Sequence, residues 1–549
     1  MTSPGAAAEV PRVTRQMWST LVAMTIAASM VLVDQTAVPL AIPRAVDELG
    51  GSLDDSQWIM TANILPLAAF MVLGGRLGDL LGLRRVFLTG ACVFAVATTV
   101  AGLAQDMPMM IAARLVQGCS AALMMPTSMA IVSATFPQSR RGFALGILAG
   151  GSAFFAALGP VLGGVLTSID WRLVFLVNVP LAIAAAVLLL RADDAGVRRT
   201  KGPIDIPGAV LLALAIGAAI YGLSEGQTAG WGSGTVLGSL LAGLVLFGVF
   251  VAIELRSRTP LVEFGLLRHL NFLAATISQF FAGMIELGLG YLLPYLLLLV
   301  IGVDPLVAGI ALIPSTLPIV LAGPLAGKAF DRIGGRAPLV AGFLLLAASG
   351  VALGLAAGAA SAWALIPGLV LQGFGLGIVL TTNDPTGLTA VPDEDQGVAA
   401  GMLNTSEQLG GAMGIAILGS IEISHYLDTL YARLGDRGIT ITPERDAEGQ
   451  AFILQAEQIG LDRAAAENAG SPVVRLALQD LIDAHVSGFA LAFYVSAGIA
   501  VVGALICFVL VRPTGHEAAG PIFSRRSRWI HAHPGSTPAV TRTPPAANP

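Results

Sequence analysis

Four ionisable residues stand inside long apolar stretches of this 549-residue chain: Asp34, Arg114, Glu286 and Glu407. A charge in hydrocarbon is expensive, so residues of this kind are retained to pair or to function. A nearby guanidinium favours an ionised carboxylate, while burial favours the neutral acid. A carboxyl group balanced between the two can take up and release a proton. At the helical rise, Asp34 lies roughly 12 Å and Arg114 roughly 8 Å from the same edge of the bilayer. The two are expected to interact, either as a proton carrier with its counter-ion or as a structural salt bridge. Glu286 falls near the middle of its stretch, among Gly283, Gly288 and Gly290. An acid at that depth suits a cationic substrate or a second proton, with a packing role as the alternative. Glu407, within LNTSEQLGG, invites the same two readings. Asn63 and Asn404 are weaker candidates for a polar cavity. Asn383 and Asp384 fall near the end of a stretch and are expected at an interface.

These residues need elements that span lipid. The chain is 55% hydrophobic and 12% charged, where soluble domains carry about a quarter charged residues. A spanning helix takes about 20 apolar residues. Fourteen stretches meet that standard: 18–42, 56–75, 86–104, 109–133, 142–167, 173–190, 207–224, 234–253, 272–299, 305–327, 338–357, 362–383, 398–422 and 486–511. Backbone polar groups in lipid must bond internally, which leaves helices as the reading. The period-two alternation of a barrel is absent from the sequence. The expected fold class is therefore an all-α integral membrane protein of 14 transmembrane helices.

The gaps between stretches assign sides. Arg12 and Arg15, then Arg76, Arg84 and Arg85, then Arg140 and Arg141 occupy alternate gaps. The alternation continues with Arg191, Arg198, Arg199 and Lys201, with Arg256, Arg258 and Arg268, with Lys328, Arg332 and Arg336, and with Arg512. The intervening short gaps hold Arg44 and Arg172. By the positive-inside rule both termini are expected in the cytoplasm. Trp58, Trp171, Trp231 and Trp363 fall at expected outer ends and Trp18 at an inner end, as an interfacial aromatic belt would place them.

A short repeat divides the chain. GRLGDLLGLR at 75–84 and GKAFDRIGGR at 327–336 share Gly, a basic residue, Asp, Gly and Arg at matching offsets. Both follow the second helix of a six-helix unit. The expected organisation is a cytoplasmic N-terminus at 1–17, a six-helix bundle at 18–190, a two-helix insert with its loops at 191–271 and a second six-helix bundle at 272–512. A large outer loop spans 425–485, and a disordered cytoplasmic tail spans 513–549. Pseudo-symmetric 6+2+6 halves suit an alternating-access transporter.

Four motifs carry a resemblance. GGRLGDLLGLRR runs from Gly74 to Arg85, GPVLGG from Gly159 to Gly164, VDQTAVPLAIP from Val33 to Pro43, and RLVQGCSAALMMPTSM from Arg114 to Met129. With them the chain resembles the major facilitator superfamily, specifically its fourteen-helix drug:proton antiporters, over nearly all of 18–512. In the loop motif, Gly75 and Gly78 allow close helix contact, Asp79 can face a helix terminus or an arginine, and Gly82 permits the turn before Arg84 and Arg85. Asp331 and Arg336 are the repeat's copies. The resemblance implies a conformational switch there. It makes Gly159, Pro160, Gly163 and Gly164 the kink motif of exporters, with Phe155 replacing a glycine usual in the family. It matches Asp34, Thr36, Val38, Ala41 and Pro43 to the family pattern, with Pro39 in place of Asn.

The expected function is proton-coupled export of amphipathic, cationic or zwitterionic drug-like compounds across the cytoplasmic membrane. Met30, Phe154, Phe155 and Met284 could line an adaptable apolar cavity. A narrower alternative keeps the fold and exports a lipid, a siderophore or a self-made antibiotic. A non-transporting sensor is the remaining alternative. An enzyme is disfavoured: GPLAGKA at 323–329 fails the phosphate-loop spacing, and the three cysteines and six histidines show no metal spacing. The expected partners are a small-molecule substrate, protons and the bilayer, with no nucleic acid, no cofactor beyond the proton gradient, and a monomeric state.

Overall fold

The computed structural model describes residues 14–51, 53–191, 206–225, 232–257, 262, 264–359, 361–392, 396–436 and 472–512. Expectations that fall on Trp231, on the tail at 513–549 and on much of the loops after residues 191, 257 and 436 lie outside them.

Helix occupies each expected stretch. The first is α1 (Arg15–Ala37), whose N-cap Thr14 accepts from the Met17 amide. A single 3₁₀ turn, Val38–Leu40, interrupts it, and α2 (Ile42–Glu48) continues outward. Pro39 lies in that turn. Proline removes one backbone hydrogen bond and crowds the preceding turn, which weakens the helix at that point. The break thus falls where the sequence departs from the family pattern. Next come α3 (Leu53–Leu81), α4 (Leu83–Gly102), α5 (Met107–Thr135), α6 (Gln138–Ile169), α7 (Arg172–Leu176) and α8 (Asn178–Leu190). The insert is α9 (Ile206–Glu225) and α10 (Gly234–Glu254). Then follow α11 (Leu270–Tyr295), α12 (Pro305–Ala311), α13 (Ile313–Ile333), α14 (Arg336–Ala356), α15 (Ala362–Leu388), α16 (Gln396–Asp436) and α17 (Pro472–Leu510).

Among the described residues, eleven spans are long and apolar enough to cross a membrane. The three stretches not among them are α3, α9 and α16. Polar residues dilute α16 (Asn404, Thr405, Ser406, Glu407, Gln408). In α9 the apolar part, Pro207–Leu223, is short. Both ends of the expected outer loop 425–485 are helical. Residues up to Asp436 continue α16, and residues from Pro472 already belong to α17.

The same packing pattern occurs twice. In the first half α1 packs on α6, α5 on both α3 and α4, and α8 on α1 and α4. In the second half α11 packs on α16, α15 on both α13 and α14, and α17 on α11 and α14. Glycines set the close approaches. A methyl at Gly118 would overlap the Asn63 carbonyl and abut Pro66 of α3, and one at Gly373 would overlap the Ser315 carbonyl and abut Pro318 of α13. The dipeptide Gln117–Gly118 recurs as Gln372–Gly373. The loop repeat has a backbone counterpart as well. Gly82 has φ 103° and Gly334 has φ 73°, a left-handed turn that glycine adopts freely.

The halves meet through α3 on α16 and through α6 on α12 and α13, and α9 touches both α3 and α16. At the end of the bundle away from the Arg-rich loops, Ser56 and the Tyr291 hydroxyl are 2.9 Å apart. Trp58 packs against Tyr221 of the insert at 6.3 Å between ring centroids. Gly164 meets the Pro305 carbonyl, and Gly309 meets that of Pro160. The halves are therefore locked together at the Arg-poor end.

Candidate functional site

Two polar centres occupy the bundle, one in each half. In the first, Arg114 Nη1 lies 2.6 Å from Asp34 Oδ2, with the arginine fully buried and the aspartate 2% exposed. Arg114 also donates from Nε to the Ile59 carbonyl at 2.9 Å and from Nη1 to Gln117 Oε1 at 2.9 Å. Gln117 Nε2 donates to Asp34 Oδ1 at 3.0 Å. The guanidinium lies 5.7 Å from the Phe175 ring centroid. Every oxygen of Asp34 thus has a donor, which is what a carboxylate in a low-dielectric interior requires. Gln117 was not singled out from sequence. The available signal was its i+3 spacing from Arg114, which puts both on one helix face.

The second centre lies in the other half, toward the Arg-rich end. Glu407 of α16 accepts a hydrogen bond from Gln279 Nε2 of α11. Glu286 of α11 and Asp384 of α15 are within Coulombic reach of Glu407. Among the described residues, no cation is paired with these three acids. Asn383, expected at an interface, is instead fully buried. It donates to the Ala275 carbonyl at 2.9 Å and to Gln279 Oε1, and accepts from Ser278. Helix length misled the expectation: α15 runs on to Leu388, so Asn383 sits inside the bundle.

The remaining candidates separate by environment. Asn63 is 2% exposed and its amide nitrogen has no partner among the described residues. Asn404 donates to the Ala400 carbonyl of its own helix at 2.9 Å. Gln35 of α1 and Gln408 of α16 bond across the halves at 3.0 Å, a contact the sequence did not suggest. Met30 and Met284 are buried, whereas Phe154 and Phe155 are well exposed. Among the described residues, no cluster has metal-ligand spacing.

The glycine–proline motif joins two interfaces. Gly159 packs on Thr36 and Gly163 on Ala37 of α1, while Gly164 packs on Pro305 across the halves. Pro160 sits inside an unbroken α6. The second half has a matching pair with the same spacing: Gly410 packs on Phe280 and Gly414 on Met284 of α11. In the loop motif, Gly75 makes ordinary contact with Pro126 and Gly78 is wedged against Leu83 and Thr127. Arg84 donates to the Leu190 carbonyl at 2.8 Å, Arg85 is exposed, and Arg336 lies over the Phe508 ring. The side chains of Asp79 and Asp331 lie outside the described residues.

Trp171 corrects the aromatic-belt expectation. It is 3% exposed, donates to Glu48 Oε2 at 2.6 Å, and carries Arg172 over its ring at 4.4 Å. Glu48 also takes Arg172 Nη1 at 2.6 Å. The Trp171 bond, then the Arg172 charge and bond, hold the Glu48 carboxyl below its ordinary 4.5.

The sequence profile of the Major Facilitator Superfamily matches residues 24–415. The chain belongs to that superfamily. As a member of this transporter superfamily, it is a multi-pass membrane transporter and not an enzyme. It is 31% identical over 512 residues to the tetracenomycin C resistance and export protein of Streptomyces glaucescens, covering 91% of this chain and 93% of that one. It is 28% identical over 457 residues to the multidrug efflux pump LfrA of Mycolicibacterium smegmatis, covering 83% and 90%. A bacterial homologue of the human lysosomal transporter Spinster, solved inward-facing and unoccupied, superposes with a TM-score of 0.61 at 16% identity, covering 91% and 98%. That likeness is one of fold.

Proposed function

We propose that this superfamily member exports amphipathic, cationic or zwitterionic compounds across the cytoplasmic membrane in exchange for protons, as a monomer with fourteen crossings and both termini inside. The observation that carries the reading is the contrast between the two centres. Asp34 is neutralised by Arg114 and sealed, whereas Glu286, Asp384 and Glu407 converge without a described counter-cation. An uncompensated group of acids inside the bundle attracts either a cation or protons, and the two compete for the same charge. Contact between the halves at the Arg-poor end leaves the acids on the Arg-rich side, which the positive-inside rule assigns to the cytoplasm.

In this cycle a cationic compound enters from the cytoplasm and displaces protons from the acidic centre. Rocking of the halves exposes it outside, where proton uptake releases it. Asp34 and Arg114 hold a second, internally balanced charge whose protonation would free Arg114 for its other acceptors. Proteoliposomes with an imposed pH gradient, screened against chemically varied compounds, test the proposal. Accumulation that follows the gradient supports it; transport indifferent to the gradient refutes the coupling. A second reading, export of one self-made antibiotic, is favoured by the near full-length match to the tetracenomycin C export protein. A single accepted compound in that screen would select it.

A further inference from the structure

The second centre has a fixed polarity that begins at one backbone carbonyl. The carbonyl of Ala275 can only accept, so the Asn383 atom facing it at 2.9 Å is the amide nitrogen. That same nitrogen also faces Gln279. The Gln279 atom it meets must then be the acceptor, Oε1. The opposite end of the Gln279 amide, Nε2, is left pointing at Glu407 as a donor. Ser278 holds the Asn383 oxygen from the other side. Each link follows from the donor and acceptor inventory of an amide.

We infer that Gln279, oriented by Asn383 and Ser278, is a positioning residue that holds the Glu407 side chain as a hydrogen-bond acceptor and ties its charge state to the packing of α11, α15 and α16. This rests on the reading above, in which Glu407 exchanges protons or cations. A donor locked toward a carboxylate favours the ionised form, because charge-assisted bonds are roughly twice as strong as neutral ones. Protonation of Glu407 weakens the Gln279–Glu407 bond, which joins α16 to the α11–α15 pair beside the bond from Ser406 to the Thr276 carbonyl. Directly behind Glu407, Gly283 meets its backbone, so α11 and α16 have no side-chain padding there.

The charged groups around Glu407 are few. On the helices packed against α16, α11 contributes Glu286 and α15 contributes Asp384. The ionisable residues of α3 (Asp54, Asp55, Arg76, Asp79), α9 (Glu225) and α17 (Arg475, Asp480, Asp483, His485) cluster toward helix ends. Gln279 is thus the neutral group best placed to set the proton affinity of this centre.

Infrared titration of the purified full-length protein reads this without any substrate. The Glu407 signal is the protonated-carboxyl band that Glu407→Gln removes. Gln279→Met keeps the side-chain shape and deletes the donor, and the band is expected to appear at a pH higher by about one unit. Asn383→Leu releases the Gln279 amide and is expected to move the band the same way. Combining the two substitutions should add nothing to Gln279→Met alone. A loss of folding or packing lowers yield and melting temperature but does not produce this directed, non-additive shift. An unmoved or downward-moved band in Gln279→Met overturns the inference alone. If Glu407→Gln removes no titrating band, the inference and the reading beneath it both fall.

Discussion

Arg114 Nη1 stands 2.6 Å from Asp34 Oδ2 with neither residue more than 2% exposed. Breaking a buried pair by removing one partner leaves an uncompensated charge and typically costs about 3–5 kcal/mol. The two partners are not equivalent here. Without Asp34 the guanidinium keeps the Ile59 carbonyl and Gln117 Oε1. Without Arg114 the carboxylate keeps only the single Gln117 donor. Asp34→Asn is therefore expected to fold, with a modest fall in melting temperature, and to lose pH-driven transport. Arg114→Leu is expected to be the less stable of the two. Melting curves at neutral pH rank them, and the reverse order would refute this account of the pair. Unimpaired antiport by Asp34→Asn would remove Asp34 from the coupling mechanism.

The pairing of Asp34 with Arg114 was readable because depth follows from counting residues along two spans. The pair of repeated halves was readable too, from Gly82 and Gly334 at matching offsets. What escaped the sequence has one physical cause. Gln117, Gln279, Asn383 and the Gln35–Gln408 bond depend on which face a neutral amide presents, and neutral amides leave no mark on a hydropathy profile. The spacing Gly410–Gly414 stands in the sequence, but its partners Phe280 and Met284 lie about 130 residues away in α11. Trp171 misled because aromatic residues at helix ends suit an interface on average, while this one has Glu48 to receive its indole proton.

Glycine seams should be intolerant in proportion to what they touch. A methyl at Gly118, Gly410 or Gly414 overlaps a backbone carbonyl of the facing helix, respectively that of Asn63, Phe280 and Met284. Carbonyls cannot rotate away as a side-chain tip can, so the helices must separate. Alanine at each position is expected to destabilise by about 1–3 kcal/mol, the range for overpacking. Gly290 and Gly401 have nothing within 4 Å, and alanine there is expected to be neutral. Thermal melts of the five variants in one detergent decide the matter. Equal behaviour of the seam and control positions would show that the close approach does not limit stability.

Contact at the Arg-poor end should be adjustable from the same geometry. Gly164 lies against the Pro305 carbonyl and Gly309 against that of Pro160, so α6 and α12 touch across the halves with no side chain between them. Leucine at either position forces the ends apart and should bias the protein toward an outward-open state. Ser56, 2% exposed and beside Tyr291, supplies a reporter. In a background carrying Ser56→Cys, with Cys92, Cys119 and Cys507 replaced, an impermeant maleimide is expected to react faster once Gly309→Leu is added. No change in labelling rate would mean that this seam does not hold the halves closed.

A last expectation concerns the latch of Glu48, Trp171 and Arg172, which lies beyond the apolar spans and joins α2 to α7. The carboxyl is held below its ordinary 4.5, first by the Trp171 bond and then by Arg172. A depressed folded-state value means the stabilisation is fully present above about pH 4.5 and declines as pH falls through the lower folded value. Glu48 is half exposed, so solvent screening keeps the effect small. Glu48→Gln should therefore melt slightly below the parent protein at pH 7, and the two curves should converge as the pH falls below about 4. Raising salt should narrow the gap at pH 7, because exposed charges are screened beyond about 10 Å at 0.1 M. A gap that persists unchanged at low pH would assign the stabilisation to the shape of the Trp171 contact and not to the carboxylate charge.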